Sequence, residues 1–388
     1  MILLVGASVR ALTESAASSK IQVTGIDFFG DLDCCGEILT PNKQRSAFST
    51  LGLLKIAQGL KCQGLVYGSG PENHWEALRY WEDQNLLLGN GYNTLVKARN
   101  PYLLRETLGQ IGVKMPDFFS PNQIPPAGSW LLKPLFRGGG HGIARLPSEE
   151  AGIRSVLSQL DDAERYIVQE FQDGIPASMT FLADGKKVLL LGFSYQLIQE
   201  DSEKNSFLYT GNIVPMPSPY PSFGEDMAVL ASHLTADFGL KGINTLDFIL
   251  CENGVRVLEI NPRWSGSVEL IEAWLGRSLF LDHIKACGGE LPQAAEWEGL
   301  LSACSSRFFG KKILYANTSF TIRNYEEGWQ SLYEYGLRDI PRPGGLTMKG
   351  EPICTVLADG SSKEECMSAL EKKAHWAREF YEQMKKDE

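Results

Sequence analysis

The sequence lacks the features that would direct it to a membrane, to nucleic acid or to export. Its 388 residues hold no apolar run near the roughly 20 residues that a membrane-spanning helix needs. The apolar opening at residues 1–7 has no basic segment before it, unlike a signal peptide. Lys and Arg number 37 against 47 Asp and Glu, so the net charge is −10. We therefore expect a cytoplasmic protein that binds neither nucleic acid nor a membrane.

The sequence also lacks a metal-binding or disulfide pattern of cysteines. Eight cysteines are present without a C-x-x-C pair, and only Cys34 and Cys35 lie close together, while histidines number five. A zinc site and a disulfide framework are therefore not expected. Any polyanion must be held locally, by a few cations, backbone amides and a metal ion. The length exceeds that of one typical domain and predicts two or three.

The first ninety residues alternate short apolar runs with helical patterns, which predicts a parallel sheet flanked by helices. The predicted strands are 2–5, 22–26 and 64–67, and the predicted helices are 46–58 and 72–88. The turn at residues 6–10 lacks a full G-x-G-x-x-G fingerprint, so it is either a structural turn or a ligand-binding one. Asp27 would contact a ribose or cap its own turn, and residues 68–73 are a candidate substrate loop.

From residue 130 onwards the pattern changes to paired strands. The turns at 183–185 and 251–254 carry the Asp-Gly and Asn-Gly pairs of tight hairpins, which predict antiparallel sheet. Helices are predicted at 101–110 and 362–384, and strands at 320–322 and 353–357. The fold class expected is therefore α/β followed by α+β. The segment 200–212 would cover an acceptor site or form a surface excursion.

A lysine followed by a glycine-rich loop is the first chemical signal. Lys133 lies in an apolar strand and His141 within the loop that follows. The loop glycines are Gly138, Gly139, Gly140 and Gly142. Glycines let backbone N–H groups approach phosphate oxygens, and Lys133 would add a charge, although no P-loop sequence follows. The alternative is a flexible hairpin tip, with His141 facing water instead of phosphate.

The second signal is an apolar strand at 166–168 that ends in Gln169, Glu170 and Phe171. Such a strand end would suit an adenine seated against backbone and hydrophobic side chains. An edge strand entering a hairpin would explain the same residues.

Paired acidic residues in a predicted hairpin are the third and strongest signal. Asp247 lies in one apolar strand, and Glu259 and Asn261 lie in the next, on one face because they are two apart. Two carboxylates and an amide are ligands that Mg²⁺ accepts. Arg263 follows, placed to neutralise a phosphoryl group in transit. The alternative is a pair of surface acids that Arg256 neutralises.

Taken in this order, these residues resemble the ATP-grasp superfamily. The resemblance covers about residues 96 to 298, and its most specific part is the Glu-x-Asn-Pro-Arg segment at 259–263. It implies the layout of biotin-carboxylase-like carboxylate-amine ligases. That layout consists of a Rossmann-like domain at 1–95, an ATP-grasp domain at 96–298 and a small α+β domain at 299–388. Segments 169–178 and 340–356 further resemble predicted ATP-dependent carboligases of organisms that use methanopterin-type C1 carriers.

The resemblance implies roles for the residues that bind the nucleotide. Lys133 would contact the α- and β-phosphates, and the loop Gly138–Gly142 would close over the triphosphate. The adenine would be framed by Gln169, Glu170 and Phe171. Arg99 would act as a cation where relatives often carry an Asp-Lys pair. No residue is assigned to the ribose, because Pro176 and Ala177 stand where many relatives carry an acid.

The resemblance also implies a metal site and a reaction. Asp247 and Glu259 would hold one Mg²⁺, and Glu259 and Asn261 a second, with Mn²⁺ able to replace either. Arg263 would stabilise the transferring phosphoryl group. The implied protein is an ATP-dependent carboxylate-amine or thiol ligase that acts through an acyl phosphate on small molecules.

The resemblance also suggests a pathway, while other functions and the oligomeric state stay open. An amino-acid ligase in C1-carrier cofactor synthesis is the suggested pathway role. The alternatives are an inactive ATP-binding regulatory protein and, less favoured, a dinucleotide-dependent oxidoreductase. A homodimer is left open.

Overall fold

The chain begins with a parallel sheet in the computed structural model, which describes residues 1–41, 49–201, 206–323 and 328–385. Its four strands run in the order β3-β2-β1-β4, all parallel. The elements of this part are β1 (Ile2–Val5), α1 (Arg10–Ser18), β2 (Val23–Ile26), β3 (Glu37–Leu39), α2 (Thr50–Gln58), β4 (Gly64–Tyr67), α3 (Trp75–Glu82) and α4 (Tyr92–Ala98). Buried side chains from strands and helices, such as Val5, Leu53 and Trp81, form one core between them.

The helices of this part differ in length from the sequence prediction. Residues 46–48 of the helix predicted at 46–58 lie outside the described residues, and the helix begins at Thr50 after the cap Ser49, whose side chain accepts from Gly52 N–H. The helix predicted at 72–88 is wrong in extent, because α3 ends at Glu82. Asn85 then adopts φ 57°, and the segment beyond it pairs as extended backbone with Leu65 of β4.

A large antiparallel sheet follows, in the order β13-β12-β9-β10-β11-β7-β6-β8-β5. Its strands are β5 (Phe118–Phe119), β6 (Trp130–Pro134), β7 (Ala144–Arg145), β8 (Tyr166–Glu170), β9 (Ile175–Asp184), β10 (Val188–Asp201), β11 (Ser206–Val214), β12 (Lys241–Cys251) and β13 (Gly254–Asn261). The helices of this region are α5 (Pro101–Gln110), α6 (Glu150–Leu157), α7 (Phe223–Phe238), α8 (Val268–Leu275), α9 (Phe280–Cys287) and α10 (Ala294–Ser302). Both predicted hairpin turns join neighbouring strands, β9 to β10 and β12 to β13.

Alternate residues of the central strands enter two different cores. Phe181 and Phe248 pack with α7 on one face, whereas Leu182 and Ile243 pack with α8 and α9 on the other. This period of two is the geometry of a strand buried on both sides. The sheet therefore forms a rigid middle layer.

The last ninety residues extend the same sheet instead of standing apart from it. Their elements are β14 (Phe308–Tyr315), β15 (Phe320–Thr321), α11 (Trp329–Tyr335), β16 (Leu337–Arg338), β17 (Leu346–Thr347), β18 (Pro352–Gly360) and α12 (Lys363–Gln383). Strand β14 pairs with β11 on one side and with β18 on the other. The predicted fold class, α/β followed by α+β, is confirmed, while the domain boundaries at 95 and 298 stay predictions.

A buried arginine joins the first sheet to both later parts of the chain. The Arg10 guanidinium lies 2.8 Å from Glu269 of α8, 3.2 Å from Asp339 beyond β16 and 3.6 Å from Asp33. Glu269 also pairs with Lys311 of β14 at 2.7 Å. Burial raises the pKa of Glu269, but Arg10 and Lys311 outweigh burial and lower it to about 2. The pairs therefore stay ionised at neutral pH.

None of the described helices is long and apolar enough to cross a membrane.

Replacing Arg10 should destabilise the protein strongly. Arg10→Met leaves the buried Asp33 without a cation and Glu269 with Lys311 alone, so we expect a loss of about 3–5 kcal/mol in the free energy of unfolding. Urea unfolding monitored by tryptophan fluorescence measures it. The control Arg154→Met removes an exposed guanidinium paired with Glu150 and should change stability by about 0.5 kcal/mol or less. Equal shifts for the two variants would contradict the role of Arg10.

A second prediction concerns Glu272, which lies where α8 packs against α1. Its Oε1 accepts from Ser15 Oγ and from Leu279 N–H, and burial raises its pKa to about 7, above the value of 4.5 of an exposed glutamate. Because the folded pKa is the higher one, the stability that protonated Glu272 contributes is present below about pH 4.5 and is lost as the pH rises through about 7.

Glu272→Gln keeps the accepting oxygen and removes this loss. We expect it to stabilise the protein at pH 8 by about 2–3 kcal/mol and to change little at pH 5. Thermal unfolding at the two pH values measures the difference, with the exposed Glu296→Gln as control. A gain that is the same at both pH values would show that ionisation of Glu272 is not its cause.

Candidate functional site

The β12–β13 hairpin brings the three predicted metal ligands together. Asp247 lies opposite Glu259, and Thr245 opposite Asn261, while the register shifts by one residue just after Asp247. Leu246 and Ile260 enter the core beneath α7. Their polar neighbours consequently lie on the opposite face, at one end of the hairpin.

Hydrogen bonds fix the side chain of Asp247. Its Oδ2 accepts from Asn261 Nδ2 and its Oδ1 from Gln196 Nε2, both at 2.8 Å. Gln196 was not predicted as a site residue. Its signal was a polar side chain between Tyr195 and Leu197 of strand β10, which is separated from β12 in the sheet only by β9.

Lys133 reaches the same place from β6. Its Nζ lies 2.8 Å from Glu259 Oε2, and the residue is buried. Glu259 therefore pairs with Lys133, and the alternative of surface acids neutralised by Arg256 does not describe this geometry. Lys133 and Glu259 come from residues 126 positions apart, so only the fold places them in contact.

The two carboxylates differ in charge state. Burial and the neighbouring charge of Glu259 raise the pKa of Asp247 to about 7. Burial also raises the pKa of Glu259, but Lys133 and then Arg99 overcome it and lower the pKa to about 2. One of two adjacent acids thus lacks a counter-charge. The oxygen ligands of Asp247, Glu259 and Asn261 fit Mg²⁺, which would supply that charge.

Arg263 connects this cluster to the first sheet. Its Nη2 donates to Asn261 Oδ1 and its Nε to Glu72 Oε1, both at 3.0 Å. Glu72 lies in the loop 68–73 that follows β4, the predicted substrate loop, within the short 3-10 turn Pro71–Asn73. The structure therefore brings that loop to Arg263, a contact that sequence reasoning did not predict.

Arg99 lies beside the same loop. Its Nη2 donates to Asn73 Oδ1 at 3.1 Å and to the Leu135 carbonyl at 2.8 Å. Its buried Nε has no hydrogen-bond partner among the described residues. An unpaired buried donor on a guanidinium is costly, so this atom fits an anionic ligand that the chain itself does not provide.

The glycine loop packs against β11. Gly139 and Gly140 adopt φ 65° and 75°, and the Gly139 carbonyl accepts from Tyr209 N–H at 3.0 Å. A Cβ on Gly140 would lie 2.1 Å from the Phe207 carbonyl oxygen, so only glycine fits there. A Cβ on Gly138 would lie 3.6 Å from Ser69 Oγ, so the loop reaches the first sheet as well.

The remaining loop residues lie at its outer end. Gly142 adopts φ 81° near the Arg137 side chain. His141 is exposed, with its ring centroid 6.3 Å from that of Tyr315. This placement matches the alternative in which His141 faces water.

The predicted adenine site lies at the end of β8. Gln169 is 3% exposed, and its Nε2 has no partner within the described part of the chain. The N–H groups of Glu170 and Phe171 already donate to the carbonyls of Asp117 and Ser129. An adenine edge would therefore be read by other hinge groups, such as the carbonyls.

Phe171 forms an apolar wall beside this strand end. Its ring lies 5.9 Å from that of Phe207, and the Arg145 guanidinium lies 3.8 Å from its centroid. The flat apolar surface and the unpaired amide of Gln169 fit a heterocycle.

Asp27 takes no part in this site. It is fully buried after β2, and its carboxylate accepts from the N–H groups of Val9, Phe29 and Gly30. Of the two roles considered for it, the structure shows the turn cap.

Comparison with known proteins bears on both fold and site. Residues 98–267 match the family described as ATP-grasp domain. An uncharacterized protein of Methanocaldococcus jannaschii is 24% identical over 316 residues, which are 78% of this chain and 70% of that protein.

Two solved structures share the fold at 15% identity. The L-amino acid ligase from Bacillus licheniformis superimposes with a TM-score of 0.67 over 96% of this chain and 97% of its own. The biotin carboxylase domain of Hydrogenobacter thermophilus 2-oxoglutarate carboxylase, in complex with MgADP, ADP and bicarbonate, gives a TM-score of 0.72 over 98% and 90%.

The packing of the glycine loop can be tested with two alanine variants. Gly140→Ala should push the loop away from β11, because its Cβ would collide with the Phe207 carbonyl and its φ is positive. Gly138→Ala is the matched control, since its Cβ meets nothing closer than 3.6 Å. We expect trypsin to cleave after Arg137 several-fold faster in Gly140→Ala only. Equal cleavage rates would show that the loop does not rest on β11.

Proposed function

We propose that the protein is an ATP-dependent ligase that joins a small carboxylate to an amine or thiol, because its residues 98–267 belong to the ATP-grasp superfamily. The reaction would proceed through an acyl phosphate and release ADP and phosphate. One observation carries the proposal: Lys133, Glu259, Asp247, Asn261 and Arg263 form one connected cluster.

The chemistry demands charge neutralisation more than a nucleophilic side chain. A carboxylate carbon is a poor electrophile, and phosphorylation turns one of its oxygens into a good leaving group. The transferring phosphoryl group is surrounded by negative oxygens, so the protein must position the reactants and supply positive charge. A net charge of −10 does not prevent this, because the cations are local.

Side-chain contacts hold the cations of the cluster, Arg263 and Lys133, in fixed positions. Arg263 is fixed on both sides, by Asn261 and Glu72, so its guanidinium is oriented without further ordering. Lys133, in the strand that leads into the glycine loop, is held by Glu259. Mg²⁺ bound by Asp247, Glu259 and Asn261 would neutralise phosphate oxygens of ATP. Gln169 and Phe171 would seat the adenine.

The named structural neighbours support this class of reaction. One is an L-amino acid ligase, and the other is in complex with MgADP, ADP and bicarbonate. We therefore include amino acids among the candidate acids and amines, and an amino-acid ligase in C1-carrier cofactor synthesis stays a prediction. The cytoplasmic location and a homodimer stay predictions too.

The alternative functions receive less support. An inactive ATP-binding protein would be expected to lack part of the metal-ligand set, yet Asp247, Glu259 and Asn261 are all present and adjacent. A dinucleotide-dependent oxidoreductase would need an acid for the ribose, and Asp27 is already used by three backbone N–H groups.

Turnover in the presence of Mg²⁺ and ATP tests the proposal. Wild type should release ADP only when a suitable acid and amine are both added from a panel that includes amino acids. Glu259→Gln should lower this rate at least about 100-fold, because it removes a metal ligand and leaves Lys133 without its partner. Glu252→Gln, an exposed glutamate in the turn of the same hairpin, is the matched control.

Two outcomes would contradict the assignment. If Glu259→Gln turned over like wild type, the metal site would be wrong. If wild type bound MgADP in calorimetry but released no ADP with any pair of the panel, the inactive ATP-binding protein would be the better description.

A further inference from the structure

A cavity lies between the first sheet and the last part of the chain. Its volume is about 160 Å³. Phe29, Ile313 and Ile353 give it apolar walls, and the carboxylates of Asp31 and Asp339 line it as well. It is a small chamber whose charged lining residues are the acids Asp31, Asp339 and Glu351 and the cation Arg342, whose Nε donates to the Gly30 carbonyl.

Asp31 is a buried acid of the cavity lining. It is 4% exposed, and its Oδ2 has no hydrogen-bond partner among the described residues. Burial and the charges of Asp339 and Asp27 raise its pKa. A buried carboxylate oxygen without a donor costs free energy that a bound ligand would recover.

The neighbouring acids Asp33, Asp339 and Asp27 all have hydrogen-bond or ion-pair partners. Asp33 accepts from the N–H groups of Asp339 and Ile340, and Arg10 lies against both Asp33 and Asp339. Asp27 caps its own turn. The single buried guanidinium of Arg10 is also shared with Glu14 and Glu269. Positive charge is therefore in deficit at Asp31.

The cavity shares a sheet edge with the proposed reaction site. Asp31 follows β2, and Glu72, which holds Arg263, follows β4. All four strands are parallel, so both residues lie beyond the same ends of the strands, and β1 stands between β2 and β4. Two strand spacings are about 10 Å. The two loops therefore follow strands about that far apart at one edge of the sheet.

We propose that this cavity binds the ammonium end of an organic amine substrate, with Asp31 as the counter-ion and the apolar walls around the carbon chain. The ammonium group would donate to the unpaired Oδ2 of Asp31. The claim that this amine is the substrate of the ligation rests on the proposed function. The claim that the cavity binds an organic amine does not.

A metal ion is the other cation to consider. Asp27, Asp31 and Cys34 offer atoms within 4.8 Å of one another. Burial and then Asp27 raise the pKa of Cys34, however, so its thiol would have to lose a proton at high cost, and the Asp27 oxygens already accept three hydrogen bonds. Apolar walls also favour an organic ligand over a hydrated ion.

Calorimetry with pentylammonium chloride and 1-pentanol tests the proposal on the full chain, because the two probes differ only in charge and terminal group. Wild type should bind pentylammonium at least about tenfold more tightly than pentanol. Asp31→Asn should lose this preference, and Asp161→Asn, which changes an exposed aspartate, should keep it.

A second pair of variants avoids the buried position. Leu346→Lys places a competing ammonium group on an exposed residue that lines the cavity, and should weaken pentylammonium binding at least about tenfold. Met348→Lys, equally exposed two residues further on, should have no effect. MgADP binding should stay unchanged in all four variants.

Equal affinity of wild type for both probes would overturn the proposal. So would loss of Mn²⁺ binding in Asp31→Asn without a change in pentylammonium binding, which would identify a metal site. If pentylammonium still bound but no ADP were released, the ligase assignment would fail and the cavity proposal would not.

Discussion

The buried guanidinium of Arg10 is the interaction on which the assembly of the chain depends. It lies at the start of the first helix, yet its partners come from Asp33 at the edge of the first sheet, Glu269 in the middle of the chain and Asp339 near its end. Because a buried charge must be neutralised on every side, these segments cannot separate independently. The loop after β4 is held against Arg263 by a separate ion pair, through Glu72.

Charge neutralisation also governs the proposed reaction site, but there it is incomplete. Lys133 fully compensates Glu259, whereas Asp247 is left with an amide from Asn261 and one from Gln196. The other cations nearby, Arg263 and Arg99, hydrogen-bond to Glu72 and Asn73 and not to Asp247. Asp247 therefore leaves this cluster open to a cationic ligand.

Local patterns predicted much of this fold. Strands β1 and β4 and helix α5 coincide with the predicted bounds, and the spacing of Asp247 and Glu259 correctly predicted a hairpin. What the sequence did not predict depends on contacts between distant residues. The pairing of β14 with β11 joins residues about a hundred positions apart, and Glu72 meets Arg263 across 191 positions. Residues 202–205 of the predicted excursion at 200–212 lie outside the described part, and the rest of it belongs to strands β10 and β11.

The contact of the glycine loop with β11 has a consequence for the strand itself. Tyr209 N–H and the Phe207 carbonyl belong to the backbone edge of β11, and β7 pairs with that strand at Ser206 alone. The resting loop shields this edge much as an additional strand would. If the loop left β11, unpaired backbone groups would face the solvent, and such edges attract other chains. A loop that closes over phosphate would therefore also limit self-association of the protein while it rests on β11.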